Sequence, residues 1–225
     1  KSNGYLRDDS ATNYYKGSRP HILLRYKYNY KNLLQYGFLG DKDAGEQFFR
    51  GGQKSGFDFY SFHFFARKSG MVKALAVGDF TVNLGQGLTH WQSLAFKKSA
   101  SIVFVKRQAD VLRPYSSSGE YNFHRGLGIT LEKKKWEATA FVSIRKLSAT
   151  IKRDSDRDKN GYVSSLLSSG NHRSASEIED RNNLRSFTMG SNVKYTTSRW
   201  HTGINWVHYS FSKPLRPSGK PYDQF

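Results

Sequence analysis

Histidine is the side chain best suited to moving protons near neutral pH, so the histidines are the natural starting point. His63, His90, His124, His172, His201 and His208 are dispersed along the chain. Asn171-His172-Arg173-Ser174 brings a histidine and a serine within two positions. Neighbours in a loop do not make a triad, which is a matter of spatial geometry. No G-x-S-x-G elbow and no H-E-x-x-H pattern occurs, and these are the spacings that mark hydrolase nucleophiles and zinc helices. Gly85-Gln86-Gly87 is not a phosphate loop, because no G-K-[ST] follows. Asp154, Asp156 and Asp158 with Gly161 superficially suggest a calcium loop. An EF-hand needs glycine at its sixth position and glutamate at its twelfth, whereas this run has Lys159 and Ser165 there. It reads as a solvated loop. The absence of cysteine removes thiolate metal sites, disulfides and cysteine nucleophiles. These residues predict no catalytic residue, no cofactor and no metal, hence no enzyme.

The remaining polar candidates lie in alternating runs. Arg25 and Lys27 sit between Leu24, Tyr26 and Tyr28; Asp79, Thr81 and Asn83 alternate with Gly78, Phe80, Val82 and Leu84. Glu137, Thr139 and Arg145 alternate with Trp136, Ala138, Ala140, Val142 and Ile144. Such sets either line a polar interior or hydrogen-bond within it to basic groups of neighbouring strands. Glu120 with His124 and Arg125 reads as a loop anchor or as ligands.

Period-two alternation is the mark of strands with one apolar face. It recurs at Leu34-Tyr36-Phe38, Tyr60-Phe62-Phe64-Ala66, Ala74-Ala76, Leu127-Ile129-Leu131 and Met189-Val193-Tyr195. The run Trp200 to Phe211 is rich in aromatics but less cleanly phased, and a bulge there is one way to shift its faces. The sum is about eight strands of roughly nine to fourteen residues, against about 5–6 in soluble domains and about 9–11 for a tilted bilayer crossing. Tight turns fall near Tyr30-Asn32, Lys68-Met71, Lys133-Lys135 and Thr197-Arg199, and they alternate with the long segments 40–56, 86–122 and 151–186. Regular alternation of short and long connections is expected of a membrane barrel. Antiparallel neighbours in lipid must close, because an open edge leaves backbone groups unsatisfied.

Composition agrees. The 225 residues include 14 Tyr, 16 Phe and 4 Trp, yet the mean hydropathy is -0.69. Aromatic belts with a polar interior and polar loops produce that pairing. No apolar run of about 18 residues is present to form a membrane helix. The net charge is +18, from 36 Lys+Arg against 18 Asp+Glu. It fits nucleic-acid binding or a basic surface facing anionic lipid or polyanions. The runs are short: Lys97-Lys98, Lys106-Arg107, Lys133-Lys134-Lys135. The chain opens at Lys1, without methionine or signal peptide, and reads as a processed or excised segment.

Gly78-Asp79-Phe80-Thr81-Val82-Asn83-Leu84-Gly85-Gln86-Gly87-Leu88 resembles a GDF-x-V-N-x-GQGL strand and turn. That strand and turn occurs in large outer-membrane barrel proteins of Bacteroidetes-type bacteria, a family known for a helix-hairpin-helix module. Lys98-Ser99-Ala100, Leu112-Arg113-Pro114-Tyr115, Gly119-Glu120, Phe123-His124-Arg125-Gly126, Gly170-Asn171-His172-Arg173 with Glu177, and Tyr222-Asp223-Gln224-Phe225 are similar to the same family in order. The likeness spans residues 20–225. Those proteins are longer, with the helix-hairpin-helix module upstream and more strands downstream. The resemblance therefore implies the barrel portion of such a protein; the family's helix-hairpin-helix module, which this sequence does not contain, would imply contact with DNA and a link to DNA uptake. The segment Lys213 to Phe225, with Pro214, Pro217, Gly219 and Pro221, does not read as a closing strand.

The expectation is thus one all-β region over residues 1–225: an antiparallel up-and-down transmembrane β-barrel, or part of a larger one. Residues 1–20 form an N-terminal extension, and 86–122 and 151–186 form long extracellular-type loops. The expected location is the outer membrane of a Gram-negative cell. The expected role is transport, secretion or surface assembly, porin-like, with lipid and anionic solutes or polyanions as partners. Arg25, Lys27, Asp79, Thr81, Asn83, Glu137, Thr139 and Arg145 would line the interior. The alternatives are a polyanion- or nucleic-acid-binding β-module and an outer-membrane hydrolase. The hydrolase requires a serine and a histidine that meet in space.

Overall fold

A computed structural model describes residues 3–5, 14–93, 107, 109–153 and 161–216. The long strands are β1 (Ile22–Tyr30), β2 (Leu34–Lys42), β3 (Phe59–Ser69) and β4 (Val72–Leu84), then β7 (His124–Lys133), β8 (Trp136–Leu147), β11 (Leu184–Thr196) and β12 (His201–Phe211). They form one antiparallel meander in the order β1-β2-β3-β4-β7-β8-β11-β12. Two short strands, β5 (His90–Trp91) and β6 (Leu112–Pro114), flank the end of β4. A separate hairpin joins β9 (Ala149–Lys152) to β10 (Tyr162–Leu166), and α1 (Ala175–Glu179) follows it.

Strand pairs meet at tight turns on one end of the sheet. Lys31 and Asn32 adopt positive φ in the three-residue turn between Tyr30 and Leu34, and Gly70 and Lys134 do so in two-residue turns, as tight hairpin connections favour. All three long connections leave from the opposite end. There the S-x-x-E sequence Ser174-Ala175-Ser176-Glu177 forms a capping box that starts α1, satisfying two amides at the helix N-terminus.

Register carries each face across all eight long strands. One row runs Lys27, Gly37, His63, Gly78, Gly126, Ser143, Thr188, Tyr209. The row beside it runs Tyr28, Tyr36, Phe64, Val77, Leu127, Val142, Met189, His208. The first face is covered and mixed: Ser61, His63, Thr130, Thr139, Ser143, Ser186, Thr188 and Asn192 are buried on it beside Phe65, Ala74, Ala76 and Phe141. The second is apolar and bare: Tyr26, Phe38, Phe62, Leu127, Leu131, Trp136, Val142, Ile144 and Val193 are exposed. Ser143 is 1% exposed and its neighbour Ile144 68%.

The sheet curls around this face, and described parts of the connection between β4 and β7, among them His90 and Leu112, pack into the concavity. Phe65, Ala74, Ala76, Phe80, Val82, Leu84, Leu112 and Phe141 form its main apolar cluster, with Val207 of β12 packed against it. His90 of β5 spans the hollow, meeting His124 Nε2 at 3.0 Å and the Tyr209 hydroxyl at 2.6 Å.

Several expectations change. No closed barrel forms among the described residues: β1 pairs with β2 alone and β12 with β11 alone. Closing eight strands leaves an interior just wide enough for side chains, whereas this hollow also holds backbone, that of β5 and β6. Ala74, Ala76, Phe80, Val82 and Leu84 were expected on the bare apolar face; they form the concave core instead. Val77 occupies the outer row, paired with Phe64 and Leu127. β12 needs no bulge, because its eleven pairs with β11 run without a shift; each of its faces mixes polar residues with apolar or aromatic ones. The long connections, expected to be loops, hold β5, β6, β9, β10 and α1. The run from Asp154 to Asp158, Lys98-Ser99-Ala100 and Tyr222–Phe225 lie outside the described residues.

Candidate functional site

The interior candidates do not form one ladder. Arg25 and Lys27 lie opposite Leu39 and Gly37 on the concave side of the edge strand β1, where they are exposed. Thr139 is buried, its hydroxyl 2.9 Å from that of Thr130. Glu137 bonds Lys73 Nζ at 2.6 Å. Asp79 is buried and takes two bonds from Arg125, at 2.6 and 2.8 Å. Thr81 pairs with Arg113 of β6. The Asn83 side chain bonds Ser93 Oγ, the Asp110 carbonyl and the amides of Gln92 and Ser93, which pins the returning segment to β4. Gly78 and Phe80 of the family-like motif lie within β4; Gly85, Gln86 and Gly87 form a turn in which all three have positive φ.

A cavity of ≈ 1040 Å³ opens beside this segment, lined by residues that include Arg67, Arg107, Arg113, Lys194, Asn83 and Asp110. Four Lys and Arg face one acid there. Arg67 pairs with Asp110 at 3.3 Å, and Arg107 stacks on Trp91 at 5.2 Å. A cleft of one charge sign with low-dielectric walls concentrates ions of the other sign.

A second constellation lies at the long-connection end. Asp58, just before β3, is buried, and its Oδ2 meets His172 Nδ1 at 2.6 Å. A carboxylate only accepts, so Nδ1 carries the hydrogen. That leaves Nε2, 3.0 Å from Ser148 Oγ, free to accept the hydroxyl proton. The second Asp58 oxygen meets Gln53 Nε2 and, at 3.4 Å, Arg181. The His172 amide donates to Glu46 Oε1 at 2.8 Å. Burial, and secondarily the charge of Asp58, pushes Glu46 up to about 6. Glu46, Asp58 and His172 also have metal-ligand types within 4.8 Å of one another. Glu46 accepts from the Asp43 and His172 amides and Asp58 from Gln53 and His172, so a cation would have to displace these donors.

Arg145 ties this end together, donating to the carbonyls of Glu120, Tyr121 and Phe123. A cavity of ≈ 200 Å³ lies there, with Ser148, Glu120, Arg125 and Arg145 among its walls. Burial pushes Glu120 up to about 9, with the charges of Asp58 and Glu46 adding to it. Ser174, the serine next to His172 in sequence, is not its partner: its hydroxyl caps α1. Ser148 and Asp58 stand 24 and 114 positions from His172, with no local spacing to announce them.

No family model, curated protein or solved structure matches the chain.

Proposed function

We propose that this chain is barrel wall from an outer-membrane protein, of the family that its GDF-x-V-N-x-GQGL segment resembles, with a basic interior that admits anions. The observation that carries the reading is the outer row Tyr28-Tyr36-Phe64-Val77-Leu127-Val142-Met189, set beside the buried hydroxyls of the inner face. Water-soluble sheets bury the apolar face. Each large apolar side chain left in water forgoes about 1.5–3 kcal/mol, and apolar patches of this extent mark a surface made for another phase or partner. Hydrocarbon covers such a face, while the hydroxyls bond within the interior.

Tyr30 at the end of β1, and Trp136 and Trp200 beside tight turns, fit the aromatic belt expected at a membrane boundary. Among the described residues no helix is long and apolar enough to cross a membrane, which leaves crossing by strands open. Among the described residues the outer edges of β1 and β12 have no partner strand, and lipid offers no hydrogen bonds in its place. A larger barrel would supply such strands and leave room for β5 and β6 inside.

Fractionation of the full-length protein from its native cell tests the assignment. The expected chain stays in the outer-membrane pellet through high salt and alkaline carbonate, and leaves it only in detergent. Release by salt alone would assign the chain to the polyanion-binding class instead, whose affinity falls steeply with ionic strength.

A further inference from the structure

We propose that Ser148, His172 and Asp58 form a serine-hydrolase site that cleaves short-chain carboxylic esters at the long-connection end of the sheet. This goes beyond a barrel with a basic interior and departs from the absence of enzymatic chemistry expected from the sequence. The three groups stand in the order that nucleophilic catalysis requires: a carboxylate on Nδ1 and a hydroxyl on Nε2 of one imidazole. Asp58 is itself held by Gln53 and Arg181, so the imidazole is oriented by a fixed group. Three separate stretches of chain converge to build this array. Ser148 Oγ accepts the Asn182 amide at 3.2 Å, which leaves its own proton for His172 Nε2, and it stands at the wall of a cavity.

The cavity identifies the substrate class. Its ≈ 200 Å³ falls below the range of about 300–1,000 Å³ for drug-sized ligands, so it suits a short acyl chain. Phe59, Phe123, Leu147 and Leu167 supply apolar wall, and Arg145, held by carbonyls and not by a carboxylate, supplies with Lys146 positive charge that favours a developing oxyanion. Glu120, held neutral to about pH 9, does not oppose it.

In the first half-reaction Ser148 Oγ attacks the ester carbonyl carbon while its proton passes to His172 Nε2. The bond from carbon to alkoxy oxygen then breaks, and the alcohol leaves with that proton. In the second, water attacks the acyl carbon and gives a proton to Nε2. The bond to Oγ breaks, Ser148 regains a proton, and the carboxylic acid departs. Ser148 and His172 are the catalytic residues; Asp58 is a positioning residue.

The test uses full-length protein in detergent micelles, with p-nitrophenyl butyrate as substrate and a fluorophosphonate as covalent label. The label is expected on Ser148, and Ser148→Ala should abolish labelling and lower turnover by about 10³-fold or more. Asp58→Asn should lower kcat with little change in KM and alter the pH profile. Because the chain has no cysteine, Ser148→Cys adds a unique thiol. Iodoacetamide should alkylate it at pH 6.5 at least tenfold faster than in the Ser148→Cys, His172→Gln double variant. Wild-type protein that takes no label and turns over ester no faster than a Ser148→Ala variant of unchanged melting temperature would overturn the proposal. So would equal alkylation rates in the single and double variants.

Discussion

Gly78 and Gly126 lie directly opposite each other on β4 and β7, and neither has room for a side chain. A Cβ on Gly78 would run into the Phe62 carbonyl oxygen of β3, and one on Gly126 into the Val142 carbonyl oxygen of β8. Gly78 also holds φ at +86°, in the left-handed region that favours glycine. At this pair β4 parts from β3, and after Phe80 it parts from β7; every residue from Asp79 to Leu84 is buried.

Gly78→Ala should therefore cost on the order of 3 kcal/mol, from strain plus the backbone clash. Gly70→Ala is the matched control: φ is +59°, but nothing lies within 4 Å. It should cost only about 1 kcal/mol. Urea unfolding from micelles compares the two, and equal losses would remove the clash from the explanation.

The Asp79–Arg125 pair lies one residue beyond the two glycines. Arg125→Met leaves the buried Asp79 carboxylate without its two strongest donors and should destabilise by about 3–5 kcal/mol. An Asp79→Leu, Arg125→Met double variant should recover part of that loss, because both charges are gone. A double-mutant cycle on the melting transition measures the coupling, and purely additive losses would contradict it.

Glu120 makes stability depend on pH. Its folded pKa, raised to about 9 by burial, exceeds the unfolded value of about 4.3. The folded state therefore binds the extra proton. Its contribution is complete below the unfolded pKa and is lost as pH rises toward 9. Glu120→Gln should leave stability near pH 4 unchanged and raise it at pH 8 by on the order of 2 kcal/mol. Parallel pH–melting curves for the two proteins would rule this out.

The basic cavity predicts selectivity. Arg113→Glu with Lys194→Glu changes its Lys, Arg and Asp balance from +3, four cations against Asp110, to −1. Planar-bilayer recordings of the full-length protein should show anion preference in wild type, weakened or reversed in the variant. Unchanged reversal potentials would place the ion path elsewhere.

The sheet was legible in sequence where its two faces differ in kind. β8 alternates Trp136, Ala138, Ala140, Val142 and Ile144 against Thr139, Ser143 and Arg145, so its faces sort themselves. β4 defeats that reasoning: Leu75 and Val77 are as apolar as Ala74, Ala76 and Phe80, and only pairing with Phe64 and Leu127 decides which set faces outward. β5, β6, β9 and β10, of two to five residues, are too short for periodicity to register. The Asp58–His172–Ser148 relay was illegible for another reason. His172 has a serine two positions away, but the fold assigns Ser174 to a helix cap and brings Ser148 to the imidazole from the end of β8.

The membrane assignment is most directly tested by spin labels placed one at a time at Leu127, Gly128, Val142, Ser143, Met189 and Gly190 of the full-length protein in bilayers. Collision with dissolved oxygen reports lipid, and collision with a water-soluble nickel chelate reports water. Oxygen-dominated relaxation is expected at Leu127, Val142 and Met189, with its loss one residue later at Gly128, Ser143 and Gly190. Nickel access equal to that of free label at Leu127, Val142 and Met189 would show that hydrocarbon does not cover this face.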